Sequence, residues 1–322
     1  MIKLPEKIIF SKGKRFLLRV EDSARAADYQ KYEKLRQEIW QFAEDHLAGS
    51  RNLLCENFLH EGSSLFIGAF EENEAGEFIL DEAHLVGFSY GFVGIRDKSL
   101  GFDRSENLWF YSQFLGVKPD RLHYGLGVHI KEFQKEILLR YFHLRLVVCT
   151  YDPLTAVNAY RNIRRLGMEV LEYRVAPYGE YGGRLNRRDV PSDRFFAAWH
   201  LESPSPPKPE TLPYDLPSLP RAVRVGYRQI AGKSQRLNLE VVEAINLELE
   251  DEIILVQIPA DFYLMLNETD VLEERVRKIP VDWRLNTRQV FLNYFGRGYE
   301  VADFIRLTDE QNRCFYLLRK NK

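Results

Sequence analysis

The stretch that most limits what this chain can become runs from Leu108 to Tyr151. Leu108–Val117 (LWFYSQFLGV) is an apolar, β-favouring run and predicts a strand. A short connection, Lys118–Gly125, follows, and then a helix whose apolar residues Leu126, Ile130, Phe133, Ile137 and Tyr141 recur at helical spacing. Leu144–Tyr151 (LRLVVCTY) is continuously apolar, as a strand buried on both faces should be. A glycine-bearing turn that opens a helix places unpaired backbone N–H groups and the positive end of the helix dipole together, where an anion can sit.

The rest of the chain frames this stretch. Before it come an opening strand at Phe16–Glu21, a helix at Ala27–Phe42 with Tyr32, Leu35, Ile39 and Phe42 as its apolar stripe, and strands at Ser63–Phe70 and Leu85–Arg96. The acidic segment Glu71–Asp81 joins those two strands as a hairpin-like connection. After it come a helix at Thr155–Leu166 stopped by Gly167 and strands at Met168–Val175 and Arg194–Leu201. The order β-α-β-β-β-α-β-α-β-β predicts a mixed sheet covered by helices, not a repeated βαβ array.

Seven of the chain's 14 prolines fall in Glu202–Arg221, too many for a helix or a central strand. The stretch therefore reads as a semi-extended surface connector. Beyond it, strands are predicted at Val223–Tyr227 and Glu252–Ile258, a helix at Trp283–Phe295 stopped at Gly296–Gly298, and a strand pair at Tyr299–Leu307 and Arg313–Arg319. The expected organisation is a domain over 1–202, a proline-rich linker over 203–221 and an α+β extension over 222–322.

Composition narrows the function classes. At 322 residues, with 45% hydrophobic and 13% aromatic content, the chain can fill a sizeable core. A formal net charge of -2 gives no reason to expect nucleic acid or an anionic membrane as partner. The start of the chain has neither a long apolar run nor a small-residue cleavage site, and no stretch is long enough to span a bilayer as a helix. Cys55, Cys149 and Cys314 are odd in number and far apart, which points to a reducing compartment, hence the cytoplasm, and away from a disulfide framework or a cysteine zinc site. The seven histidines show no paired ligand spacing, so no metal is expected.

Gly125-Leu126-Gly127 lacks the third glycine of a dinucleotide fingerprint and the Gly-Lys-Ser/Thr ending of a nucleoside-triphosphate loop. A larger pattern surrounds it: Leu115-Gly116-Val117, Gly125-Leu126-Gly127, Lys131, Gln134, Tyr151-Asp152-Pro153-Leu154, Asn158-Ala159, Asn162-Ile163, Leu166-Gly167, and Ser192-Asp193-Arg194 with Trp199. This resembles the GNAT superfamily of acyl-CoA-dependent N-acyltransferases, and within it a bacterial branch with a C-terminal extension like Ile258–Leu318. The resemblance covers most of the chain. It implies an α/β (α+β mixed-sheet) GNAT-like fold with a smaller C-terminal α+β extension. It also implies a strand that splays from its neighbour to admit the pantetheine arm, and a loop and helix N-terminus that hold the pyrophosphate through backbone N–H groups. The implied co-substrate is acetyl-CoA or another acyl-CoA, with a small-molecule amine as acceptor. The residues that the resemblance assigns to the cofactor are Leu115, Val117, His123, Tyr124, Gly125, Leu126, Gly127, Val128 and Asn158. Apart from the resemblance, the C-terminal region also reads as an interaction or dimerisation domain, which allows a homodimer.

The departures concern the chemistry. The superfamily's Arg or Gln three residues before the first glycine is Leu122 here, which leaves the anion to backbone groups. The Tyr that often serves as acid, four residues before the glycine ending the later helix, is Ile163, with Tyr160 one turn earlier as a substitute or a packing residue. Amine attack needs a proton acceptor. Tyr111, Gln113 and Leu115, expected on one face of the strand, offer only a phenol and an amide near the reacting atoms. A backbone N–H near Leu115–Val117 is the expected oxyanion donor. Arg161, Arg164 and Arg165 read as a solvated helix face. Arg184, Arg187 and Arg188 lie in a glycine-rich loop that either stays exposed or pairs a substrate carboxylate. A binding or regulatory module on the same fold, holding acyl-CoA or another phosphate ligand without turnover, is the alternative reading.

Overall fold

The computed structural model describes residues 5–21, 23, 25–41, 63–204, 215–307 and 312–321. Cys55 and Phe42 lie outside them. The chain forms two compact units: one from the chain up to Cys149 with Trp199–Ser203, the other from Thr150–Ala198 with Pro204–Lys322.

In the first unit β1 (Glu6–Ser11), β2 (Lys14–Glu21), β3 (Ser64–Glu71), β4 (Leu85–Ile95) and β5 (Leu108–Val117) pair antiparallel, each with the next. β1 is an addition to the sequence reading. It pairs with β2 across Lys12-Gly13, both with positive φ (46° and 80°), the tight turn whose twist suits a hairpin. β3 and β4 are buried on both faces because helices cover the sheet from each side. On one face α1 (Ala26–Trp40) places Tyr29 and Tyr32 against Phe66, and Trp40 against Phe88 and Phe114. On the other, α2 (Leu126–Ile137) buries Leu126, Ile130, Phe133 and Ile137. Gly87 faces α2 closely: a Cβ there would lie 3.3 Å from the tip of Ile130. Tyr141, expected on the buried stripe, is 49% exposed. The helix ends in a wider π turn at Leu138–Phe142, which shifts the phase of the last residues and sends Leu138 inward instead.

β6 (Leu146–Tyr151) runs parallel to β5, and the two pair at Phe110–Val147 and Tyr111–Val148. From Ser112 onward β5 keeps β4 as its only ladder partner among the described residues.

The second unit begins inside β6. Its first helix, α3 (Ala156–Ala159), continues as a π turn over Tyr160–Arg165 and stops at Gly167, whose φ is 68°. β7 (Glu169–Arg174) pairs antiparallel with β8 (Arg194–His200). β9 (Val223–Ala231) and β10 (Arg236–Ile245) form a separate hairpin. β11 (Ile253–Ile258), β12 (Tyr299–Arg306) and β13 (Cys314–Lys320) form a three-stranded antiparallel sheet with β13 in the middle. α4 (Phe262–Glu268), α5 (Glu274–Arg277) and α6 (Ile279–Gly296) complete the unit. The sequence reading lacked β10, α4 and α5.

The units do not divide at the proline stretch, as the boundaries 1–202, 203–221 and 222–322 anticipated. Ion pairs and hydrogen bonds knit Thr150–Ala198 to the C-terminal region. Asp152 accepts from Arg284, which is fully buried on α6, and Arg194 lies 3.5 Å from the same carboxylate. One turn along α6, Arg288 grips both oxygens of Asp193 at 2.8 Å. Tyr316 on β13 donates to the Pro153 carbonyl at 2.9 Å, and Arg164 pairs with Asp303. The end of the proline stretch is also packed. Leu216 sits in a core cluster with Leu255, Ile305, Phe315 and Leu317.

Candidate functional site

The site is built at the end of β5, in the first unit. β5 carries one residue more than β4 opposite it: Gly91 pairs with Ser112 and Tyr90 with Phe114, so Gln113 is a bulge. Gly91 is required there, because a Cβ would fall 2.4 Å from the Tyr111 carbonyl oxygen. The bulge changes which side chains share a face. Before it, Tyr111 meets Phe92 on the α1 face, and Ser112 meets Lys131 of α2 on the other. After it, Phe114 meets Trp40 on the α1 face. Tyr111, Gln113 and Leu115 therefore do not share one face, as simple alternation predicted. Leu115 falls on the side opposite Tyr111, and Gln113 is exposed.

The backbone beyond the bulge is oriented by its ladder. The Lys118 N–H donates to the Val86 carbonyl at 2.8 Å. Bonded and non-bonded pairs alternate along an antiparallel ladder, so Gly116 and Phe114 also face β4. Leu115 and Val117 then turn their N–H and C=O groups to the opposite edge, from which β6 has parted.

Beyond Val117 the chain enters α2 by a tight route. Pro119–Tyr124 forms a short 3₁₀ helix where a loop was expected, and Gly125 follows with φ 68°. The turn is pinned from below. Arg121 pairs with Glu71 at 2.6 Å, Ser11 donates to the Tyr124 carbonyl at 2.7 Å, and the Tyr124 ring packs edge-on against Phe16. Burial alone would raise the Glu71 carboxyl, but the bonds from Lys14 and Arg121 outweigh it and hold it below the ordinary carboxylate range. In the first turn of α2, Val128 and His129 donate back to Gly125, whereas the N–H groups of Leu126 and Gly127 have no acceptor among the described residues. A Cβ at Gly125 would meet nothing within 4 Å, so the space above this turn is open. Two free donors, a helix N-terminus and open space fit a phosphate group. His123 and Leu122 are exposed beside it, Leu122 at 60%.

Asn158 and Tyr160 belong to the second unit. Asn158 donates to Thr155 at 2.9 Å and lies 3.5 Å from the Tyr263 hydroxyl. Tyr160 is 39% exposed, so it is not the packing residue the sequence allowed, while Ile163 is buried. The block that carried most of the resemblance, Asp152 to Gly167 with Ser192-Asp193-Arg194, is occupied with packing: Asp152 also caps the Leu154 N–H at 2.8 Å, and Ser192 donates to the Gly179 carbonyl at 2.7 Å. Of the basic residues, Arg164 is paired rather than solvated. Arg187 is buried, bonded to Asp189, Thr269 and the Arg277 carbonyl, and is not on offer to a substrate.

Two features escaped the sequence. The bulge depends on Gly91, one of several glycines in β4, and nothing in the pattern singles it out. Lys131 was visible in the motif, but its burial under β5 was not. Among the described residues no group of three or more His, Cys, Asp or Glu could hold a metal ion, and no helix is long and apolar enough to cross a membrane.

No protein-family model matches the chain, and no curated protein matches it. Solved structures similar to it include the ribosomal-protein-S18-alanine N-acetyltransferase of Escherichia coli (13% identity over 61% of this chain and 99% of that one, TM-score 0.41). Two others are a GNAT-family acetyltransferase from Streptococcus pneumoniae (12%, 57% and 98%, 0.41) and Arabidopsis thaliana NAA60 in complex with acetyl-CoA (12%, 58% and 99%, 0.40). At these scores the likenesses bear no weight on substrate or chemistry. The solved structures that the chain is similar to include acetyltransferases of the GNAT family, whose fold it shares.

Proposed function

We propose that this chain is an acyl-CoA-dependent N-acyltransferase that passes a short acyl group, acetyl or a near relative, to an amine by direct attack on the thioester. The observation that carries the reading is the pairing of two backbone features in one unit: among the described residues, an edge of β5 left without a partner strand from Ser112 onward, and a helix N-terminus at Gly125 with two N–H groups lacking acceptors. A thioester ligand with a long amide-bearing arm and a pyrophosphate needs both. The Leu126 and Gly127 N–H groups would hold the pyrophosphate, with Tyr124, Val128 and His123 around it. The Leu115 and Val117 edge would pair with the amides of the arm, and one of those N–H groups would meet the oxyanion as the amine adds. Addition forms the C–N bond. Collapse breaks the C–S bond, and the amine proton leaves with the thiolate or through water. Backbone binding is compatible with Leu122 where the superfamily has Arg or Gln.

Calorimetry with acetyl-, succinyl- and longer acyl-CoAs tests the reading. Micromolar binding of at least one is expected, with a loss of more than about tenfold for Gly127→Glu, which sets a carboxylate against the phosphate. Absence of binding to every acyl-CoA at high micromolar concentration sinks it. A binding module without turnover is favoured by one specific observation: β5 carries no carboxylate or histidine, and its bulge presents only the Gln113 amide to solvent. Release of free CoA over a panel of amines separates the two. Turnover with any amine excludes the pure module.

A further inference from the structure

We infer that Lys131 is a positioning residue: through Ser112 it fixes the bulge at Gln113, and with it the line of the β5 edge that meets the acyl-CoA. The inference rests on the acyl-CoA reading of that edge. It begins from a basic side chain that is buried. Lys131 lies on α2 one turn before Gln134, to the side of the stripe Leu126, Ile130 and Phe133, and it is 2% exposed. An ammonium group is expensive to bury unless hydrogen bonds replace its water. Its nitrogen lies 2.5 Å from Ser112 Oγ and 3.0 Å from Gln134 Oε1. Replacing such a buried polar cluster with apolar side chains often leaves stability unchanged or higher, so stability is a poor reason for its presence.

Position supplies a better one. Ser112 is the last residue before the bulge and the first that β6 no longer pairs. At that point β5 has one ladder left, and a bulge weakens the ladder locally and lets the strand twist. Two side-chain contacts flank it: Ser112 to Lys131 on one face, and Phe114 to Trp40 on the other. The first is polar and directional, so it sets both the height and the rotation of the strand just before the Leu115 and Val117 groups.

The test compares Lys131→Met, Ser112→Ala and the double variant with wild type, reading amide hydrogen exchange along β5, acetyl-CoA affinity and thermal melting. Met fills the space of the Lys stem, so Lys131→Met should melt within a few degrees of wild type. Its amides from 112 to 117 should exchange at least tenfold faster while those of β2 and β3 do not change. Acetyl-CoA affinity should fall about tenfold, and the double variant should be no worse than Lys131→Met, because both substitutions remove the same bond. Unchanged exchange at 112–117 in both single variants overturns the inference, and Ser112→Ala decides it should Lys131→Met fail to fold. Failure of wild type to bind any acyl-CoA sinks the acyl-CoA reading instead, and the exchange comparison still decides whether Lys131 sets the strand.

Discussion

At the scale of single residues, the charged groups in the two units do different work. In the first unit they fasten a turn: Glu71 is held by Lys14 and Arg121, and through Arg121 it anchors the 3₁₀ segment that delivers Gly125. In the second unit Glu240 on β10 stands out, because its carboxyl is pushed up from 4.5 to about 6 by burial, against the bonds from the Ala260 N–H at 2.8 Å and Gln257 at 3.5 Å. A raised carboxyl holds its proton more tightly in the folded chain than in the unfolded one. The stability tied to that proton is complete below about pH 4.5 and is lost as the pH climbs to about 6, a loss of about 2 kcal/mol. Glu240→Gln keeps an acceptor and carries no charge. It should be more stable than wild type by about 1–2 kcal/mol at pH 7.5 in urea titrations, with the difference closing below pH 5. A constant difference across that range would show that Glu240 does not titrate as described.

At the scale of elements, the positions of strands and helices in the first unit were largely legible, because apolar runs and amphipathic stripes report burial directly. Leu126, Ile130, Phe133 and Ile137 are buried as their spacing predicts. Tyr141 is not, because a π turn adds a residue to the helix and no local signal marks where the ladder widens. The bulge at Gln113 was hidden for a similar reason: alternation assumes one residue per position, and the extra residue is set by a steric opening at Gly91 on another strand. The short helices α4 and α5 carry too few residues to build a periodic stripe. In α6 the pattern was misleading in an instructive way. Arg284 and Arg288, polar by type, sit on the packed side because they meet Asp152 and Asp193. Burial would raise the Asp193 carboxyl, but the hydrogen bonds from Arg288 and Tyr173 prevail and hold it below its ordinary range. Arg284→Met should cost about 3 kcal/mol or more in denaturant unfolding, since it leaves the buried Asp152 carboxylate with the Leu154 N–H and, for a cation, only the longer contact to Arg194. A loss under about 1 kcal/mol would mean that the pair contributes little.

At the scale of the whole molecule, the C-terminal region is not an appendage hung on a finished domain, since Asp152, Pro153, Arg164 and Asp193 are all satisfied by residues beyond 283. A chain ending at residue 202 therefore loses partners for two buried carboxylates and should not fold to a cooperative state. Circular dichroism melts check this, and a transition within a few degrees of the full chain would refute it. The motif block that most resembled an acyltransferase family turned out to be part of this packing, while the atoms proposed to hold the co-substrate are backbone groups of the first unit. The central claim is that those groups bind acyl-CoA, and a crystal structure with acetyl-CoA tests it most directly. The pyrophosphate is expected on the Leu126 and Gly127 N–H groups and the arm along the Leu115–Val117 edge. Density for the co-substrate at any other place, or its absence at saturating concentration, would contradict it.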